Sequence, residues 1–61
     1  MKWNELLKIA KAKGWEFERH GKKHDIYTHK DKPEDFLQIE RHWNSEIRPG
    51  LMNKLKKQIG F

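Results

Sequence analysis

One short segment, residues 21–29, places a histidine beside two lysines where a glycine turn leads into a strand. An imidazole titrates near neutral pH, so His24 could move a proton to or from the 2′-hydroxyl of RNA. The ammonium groups of Lys22 and Lys23 could hold the adjacent phosphate. These residues indicate a candidate site for RNA cleavage, although a plain hairpin with a solvated, charged tip would have the same composition.

Three other polar residues offer weaker evidence of function. Asp25 could orient an imidazole, but adjacent strand residues point to opposite faces, so a local turn or partner contact is expected instead. His29 and His42 could contact RNA or a partner, although a single exposed histidine usually has no special role. No second proton-transfer group is therefore evident beside His24.

Metal binding is the other chemistry that the four histidines could indicate. His20 and His24 are four residues apart, but the glycine turn between them removes the helical geometry in which such a pair chelates a metal. The chain has no cysteine, which excludes thiolate zinc sites and cysteine nucleophiles. We expect no metal and no cofactor.

Two helices are predicted to support this segment. The first has apolar residues at helical spacing between Trp3 and Ala10, with Gly14 placed to end it. The last begins at Arg48-Pro49-Gly50, where proline suits a first turn because its missing N–H would be unpaired there anyway. Gly60 is placed for its C-terminal cap. The buried stripe of this helix consists of Met52, Leu55 and Ile59.

Three strands are predicted between the helices. An alternating pattern begins at Trp15 and predicts a strand over residues 15–20. Another predicts a strand over residues 36–41, with Leu37 and Ile39 toward one face and Gln38 and Glu40 toward the other. Residues 24–29 are rich in β-branched and aromatic types. Residues 30–35 are polar and are interrupted by a proline, so they should not pack in the core and we expect a loop there. The strands should pair as an antiparallel meander.

The aromatic residues divide into two groups. The first strand should place Trp15, Phe17 and Arg19 on one face, with His20 on the other. Because Trp15 and Phe17 directly follow a helix, core packing is favoured over stacking on RNA bases. Trp43 lies in a polar segment after the third strand, where its ring could meet RNA or a partner.

The order α-β-β-β-α defines an α+β fold, a three-stranded antiparallel sheet with two helices on one face. This is the simplest arrangement in which the apolar stripes of the helices and strands meet, and it leaves the other face of the sheet partly exposed to solvent. With 61 residues, of which 34% are hydrophobic, residues 1–61 should form a single domain with a small core. A partner that covers part of this domain would help to stabilise it.

The formal net charge of +5 favours a polyanion or an acidic protein as the partner. Arg48 and the N–H groups at the start of the last helix could bind a phosphate, or could simply cap the helix. Lys54 and Lys57 extend this basic strip. No apolar run is long enough to span a bilayer and no signal peptide is evident, so we expect a cytoplasmic protein without a membrane partner.

Five short motifs occur in an order that covers nearly the whole chain. They are Gly14-Trp15, the Gly-x-x-His turn of residues 21–24, Tyr27-Thr28-His29, Ile39-Glu40-Arg41-His42 and Arg48-Pro49-Gly50. Together they resemble the HicA-type toxins, small bacterial and archaeal mRNA interferases with a double-stranded-RNA-binding-domain-like fold. Each motif is weak alone, but their order in so short a chain is specific.

The common site of that family is Gly-Ser-His-His, whereas this chain has Gly21-Lys22-Lys23-His24-Asp25. Alignment backward from the strand places the catalytic histidine of the family on His24, and alignment forward from the glycine would place it on Lys23. We prefer His24, because a lysine serves as a base near neutral pH only if its surroundings strongly depress its pKa.

The resemblance implies metal-independent cleavage of single-stranded or locally open mRNA, with His24 as general acid or base. The candidate RNA-binding residues are Lys22, Lys23, Arg41, Arg48 and Lys54. The resemblance also implies a HicB-type antitoxin, with a toxin that is monomeric when free and hetero-oligomeric in the complex. The alternative is a noncatalytic RNA-binding module that recognises duplex shape through its lysines.

Overall fold

The computed structural model describes all 61 residues and has the element order α-β-β-β-α. The elements are α1 Trp3–Ala12, β1 Trp15–His20, β2 His24–His29, β3 Lys32–Glu40 and α2 Pro49–Ile59. The three strands form one antiparallel sheet in the order β1-β2-β3. The predicted α+β fold, with a three-stranded sheet and two helices, is confirmed. No helix is long and apolar enough to cross a membrane.

The hydrophobic core lies on one face of the sheet, which we call the helix face. Tyr27 pairs with Leu37, and both are buried against residues of α1 and α2. The core cluster consists of Trp3, Leu6, Leu7, Ala10, Trp15, Tyr27, Leu37, Ile39, Ile47, Leu55 and Ile59. Burial of each large apolar side chain contributes about 1.5–3 kcal/mol. The opposite face, which we call the open face, carries His24, Ile26, Phe36, Gln38 and Glu40.

A β-bulge in β1 overturns the predicted alternation of that strand. Phe17 and Arg19 pair with consecutive residues of β2, so Glu18 is the extra residue. The shift moves Arg19 to the open face and His20 to the helix face, the reverse of the prediction. The pattern did not reveal the bulge because Arg19 and His20 are both polar, so no apolar residue after Phe17 marks the buried face.

Of the two aromatic residues predicted to pack in the core, only one does so. Trp15 is 1% exposed, but Phe17 is 47% exposed. Phe17 lies on an edge strand, where its ring contacts the rings of His20 and Tyr27 rather than the helices. The prediction that Phe17 is a core residue is therefore wrong.

The predicted loop at residues 30–35 is shorter in the structure, because β3 begins at Lys32. Lys32 pairs with His29, and Phe36 pairs with Thr28, so residues 33–35 form an irregularity without partners on β2. Strand β3 ends at Glu40, one residue before the predicted end.

The segment after β3 holds the start of α1. The N–H of Trp3 donates to the carbonyl of Ser45 at 3.2 Å, and the N–H of Asn4 donates to the carbonyl of Trp43 at 3.0 Å. These bonds satisfy donors that a helix start otherwise leaves unpaired. Ile47 anchors the same segment in the core.

The junction between α1 and β1 requires glycine. Gly14 has φ +100°, and a Cβ there would lie 2.8 Å from Nε2 of His29. That imidazole nitrogen is 2.8 Å from the carbonyl oxygen of Lys13, and Nδ1 accepts the N–H of Asp31 at 3.0 Å. His29 thus connects the end of α1 to the end of β2.

We predict that Gly14→Ala lowers the stability by about 1–2 kcal/mol or more, because it combines an unfavourable φ with a clash. Thermal unfolding followed by circular dichroism measures this change. Gly50→Ala is the matched control: a Cβ at Gly50 meets nothing within 4 Å, and alanine in a helix should add about 0.4–1 kcal/mol. Equal melting temperatures for the two variants would contradict the assigned strain at Gly14.

Candidate active site

The turn between β1 and β2 is closed by a backbone hydrogen bond. The N–H of Gly21 donates to the carbonyl of His24 at 2.8 Å. A Cβ at Gly21 would lie 2.8 Å from the same oxygen, so a larger residue would force the backbone to move. Lys22 and Lys23 occupy the exposed tip, where their ammonium groups face solvent.

His24 lies at the end of the open face, opposite Glu40. Its Nε2 is 3.8 Å from Oε1 of Glu40, which is too far for a hydrogen bond, and its side chain is 34% exposed. Its imidazole makes no hydrogen bond to another part of the chain. A partly exposed imidazole without a partner can take a proton from a substrate or give one to it.

Three clefts meet at His24 and bring together most of the predicted site residues. The first is also lined by Lys22, Lys23 and Gln38, the second by Lys23, Glu40, Arg41 and His42, and the third by Lys54 of α2. Arg48 does not reach this group. It lines a neighbouring cleft with Trp3, Glu40, Glu46 and Leu51.

Arg41 connects the end of β3 to the turn. Its Nε donates to Oδ1 of Asp25 at 2.9 Å, and its Nη2 donates to the carbonyl of Gly21 at 2.6 Å. Asp25 is only 5% exposed and is the one buried polar residue in the chain. These contacts give Arg41 a role in holding the turn, and its predicted contact with RNA remains a prediction.

The family model described as HicA toxin of bacterial toxin-antitoxin matches residues 3–61. The chain belongs to the HicA toxin family. It is thus the toxin of a toxin–antitoxin system; the family supports a general ribonuclease activity and implies an antitoxin partner. Comparisons with curated proteins and with solved structures gave no match.

In this HicA toxin, Asp25 does orient an imidazole, but that imidazole belongs to His20. Nδ1 of His20 is 2.8 Å from Oδ1 of Asp25, and the His20 side chain is 72% exposed. Asp25 points to the helix face, whereas the preceding residue, His24, points to the open face. The two histidines therefore lie on opposite sides of the hairpin and cannot approach one phosphate from the same side.

The expectation of a local turn contact for Asp25 understated its role, because the carboxylate reaches all three strands. His20 and Asp25 directly flank the turn and pair across it, which is the sequence signal that could have revealed their contact. The signal was missed because the bulge at Glu18 reverses the face of His20. The part played by Arg41 depends on tertiary structure and leaves no local pattern.

The remaining histidines have different surroundings. His29 is committed to the junction described above, and its ring packs edge-on against Trp15 with 5.4 Å between ring centroids. His42 is exposed and lines one of the clefts at His24. No three histidine, aspartate or glutamate side chains come together in a geometry that could hold a metal ion.

The hydrogen bond with His20, together with the hydrogen bond and positive charge of Arg41, lowers the pKa of Asp25 below 3.8, although burial acts in the opposite direction. The folded pKa therefore lies below the unfolded value. The Asp25 carboxylate contributes stability that is present above about pH 4 and is lost as the pH falls through the folded pKa.

We predict that Asp25→Asn lowers the stability by about 1–3 kcal/mol at pH 7, because the remaining amide oxygen is a weaker acceptor for Arg41. Thermal unfolding from pH 7 to pH 3 should show the variant and the parent protein converging at acid pH. Asp35→Asn, at an exposed position of β3, is the control and should follow the parent protein. A deficit that is constant across this pH range would show that the charge of Asp25 is unimportant.

Proposed function

We propose that this toxin is an mRNA interferase, a metal-independent endoribonuclease that cleaves single-stranded or locally open mRNA. His24 is its general acid or base. The observation that best supports this role is the position of His24, whose imidazole is partly exposed and lacks a hydrogen-bond partner where three clefts meet. Lysines line all three of these clefts, which suits a phosphate substrate.

The reaction that suits one imidazole is transesterification. His24 takes the proton of the ribose 2′-hydroxyl, and the 2′-oxygen attacks the adjacent phosphorus. The bond from phosphorus to the 5′-oxygen breaks, and that oxygen takes up a proton from the imidazolium or from water. The products are a 2′,3′-cyclic phosphate and a 5′-hydroxyl. One positioned general acid or base increases the rate of a reaction by about 10²- to 10⁴-fold, so turnover by this single group should be slow.

The charges around His24 indicate the side from which the phosphate approaches. Lys22 and Lys23 lie at the turn, whereas Glu40 lies on β3, with its Oε1 3.8 Å from the imidazole. A phosphate is repelled by the carboxylate and attracted by the ammonium groups, so it should bind on the lysine side. There the lysines also stabilise the charge that develops in the transition state.

The antitoxin is proposed to be a HicB-type protein with an acidic surface that covers His24. The toxin carries a net charge of +5, so an acidic partner would associate rapidly. Only 13 of its 61 residues are buried, and a bound partner would stabilise the folded state by mass action. We also propose that residues 1–61 form one domain, monomeric when free and hetero-oligomeric with the antitoxin, that acts on mRNA in the cytoplasm.

We predict that His24→Ala lowers the rate of RNA cleavage by about 10²- to 10⁴-fold, because the proton-transfer group is lost. Cleavage of a labelled single-stranded RNA by the purified protein measures the rate, and added imidazole should restore part of it. His20→Ala, on the opposite side of the same hairpin, is the control. Asp25 keeps its hydrogen bond with Arg41 in this variant, so the loss of activity should be far smaller than for His24→Ala.

Parental cleavage by His24→Ala would contradict the assignment. A parent protein that binds duplex RNA without cleaving any RNA would instead favour the noncatalytic module. Thermal unfolding of His24→Ala should stay close to that of the parent protein, since the imidazole lies outside the core.

We predict that Lys22→Ala combined with Lys23→Ala reduces the salt dependence of RNA binding. Each lost phosphate contact lowers the slope of log K against log salt by about 0.7 for single strands, so two contacts lower it by about 1.4. Fluorescence anisotropy in the inactive His24→Ala background measures this slope. Lys8→Ala with Lys11→Ala on α1 is the control, and an equal effect in both pairs would show that the turn lysines make no specific contact.

A further inference from the structure

A cleft of about 180 Å³ lies between the open face of β3 and α2, and His24 forms part of its lining. Its apolar part combines two buried residues, Trp3 and Leu55, with two exposed ones, Phe36 and Leu51. Beside His24, its polar part contains Gln38, Gln58 and Lys54, with the carboxylate of Glu40 at the His24 end. The cleft thus joins an apolar surface, amide groups and a cation beside the proposed proton-transfer group.

The cleft is preformed, because hydrogen bonds hold its two walls together. Nε2 of Gln58 on α2 donates to the backbone carbonyl of Phe36 at 2.9 Å. Nζ of Lys32 on β3 donates to the backbone carbonyl of Gln58 at 2.9 Å. A flat ligand could therefore enter without first paying the ordering entropy of a mobile wall.

The Phe36 ring is the most exposed apolar surface in the cleft, with 47% of the residue accessible. The guanidinium of Arg19 lies over this ring at 5.6 Å from its centroid, so a cation packs against one face of the ring. Stacking of an unpaired base on an aromatic side chain contributes about 1–3 kcal/mol, whichever base is bound. Phe36 therefore has both the exposure and the electrostatic surroundings of a base-stacking residue.

The spacing along the sheet suits a short stretch of RNA. Phe36, Gln38 and Glu40 alternate along β3 on the open face, and Glu40 pairs with His24. Glu40 lies four positions after Phe36 on β3, which corresponds to roughly 13 Å along the strand. A base stacked on Phe36 would thus belong to a nucleotide close to a phosphate that is held at His24.

We propose that this cleft binds one unpaired nucleobase of the RNA substrate. Phe36 stacks on the base, the Gln38 side-chain amide contacts its polar edge, and Lys54 binds a neighbouring phosphate. This inference rests on the proposed function and extends it from the scissile phosphate to a base next to it. RNA and an acidic antitoxin segment are both anionic, so the positive charge of the cleft does not distinguish them. The exposed aromatic ring favours RNA as the occupant, because stacking requires a base.

The test compares two phenylalanines of equal exposure on different faces of the sheet. Phe36→Leu should lower kcat/KM for a single-stranded RNA by about 5- to 150-fold, the equivalent of one lost stacking contact. Phe17→Leu is the matched control, because Phe17 is also 47% exposed but lies on the helix face of the edge strand. It should cleave RNA at the parental rate. Thermal unfolding checks that both variants are folded.

A scan of the substrate makes the assignment specific. A set of RNAs is prepared in which each member lacks the base at a different position near the cleavage site. The parent protein should cleave one member of this set poorly. Phe36→Leu should show no further loss at that position, because the stacking partner is already gone. An equal penalty in both proteins, or equal cleavage by Phe36→Leu and Phe17→Leu, would overturn the proposal.

Two further results separate this proposal from the others. If Phe36→Leu cleaves RNA normally but binds the antitoxin weakly, the cleft is a protein-docking surface and the nucleobase assignment is wrong. If the parent protein cleaves no RNA, the proposed function fails, and binding of the same RNAs by anisotropy still tests the subsite. In that case, weaker binding by Phe36→Leu than by Phe17→Leu would support the nucleobase cleft, and equal binding would refute it.

Discussion

The contact between the buried carboxylate of Asp25 and the guanidinium of Arg41 determines the geometry of the candidate site. A buried carboxylate without a partner is unfavourable by several kcal/mol, so this residue strongly favours the arrangement in which Arg41 reaches it. Arg41 follows β3, Asp25 lies on β2, and His20, the second partner of the carboxylate, ends β1. One carboxylate thus fixes the ends of all three strands where His24 lies, and the bond from Arg41 to Gly21 extends this control to the turn.

The residues that stabilise the fold and the residues of the candidate site lie on opposite faces of the sheet. The helix face carries the core residues of the strands, while His24 and Phe36 lie on the open face and contribute little to that core. A domain of this size has few apolar contacts to lose, so a proton-transfer group on the helix face would have to be accommodated within the packing. On the open face, the residue types are limited mainly by solubility and by what they bind.

The sequence predicted the parts of the structure that depend on local chemistry. Helical spacing located α1 and α2, and the turn that presents His24 follows from Gly21 and the polar residues after it. The bulge at Glu18 was not predictable, because Arg19 and His20 are both polar and neither marks a buried face. This error placed His20 on the wrong face. Lys54 reaches the cleft at His24 only through the packing of α2 against β3, which no local pattern encodes.

The arrangement has a consequence for control of the proposed activity. His24 and both turn lysines are accessible at one end of the sheet, and the proposed base cleft also opens there. One acidic partner docked at this end would block proton transfer and phosphate binding together. In the proposed function the positive charge would attract both mRNA and this partner, so RNA and antitoxin should compete for one surface. Inhibition by occlusion therefore requires no conformational change in the toxin, whose turn is already fixed by Asp25 and Arg41.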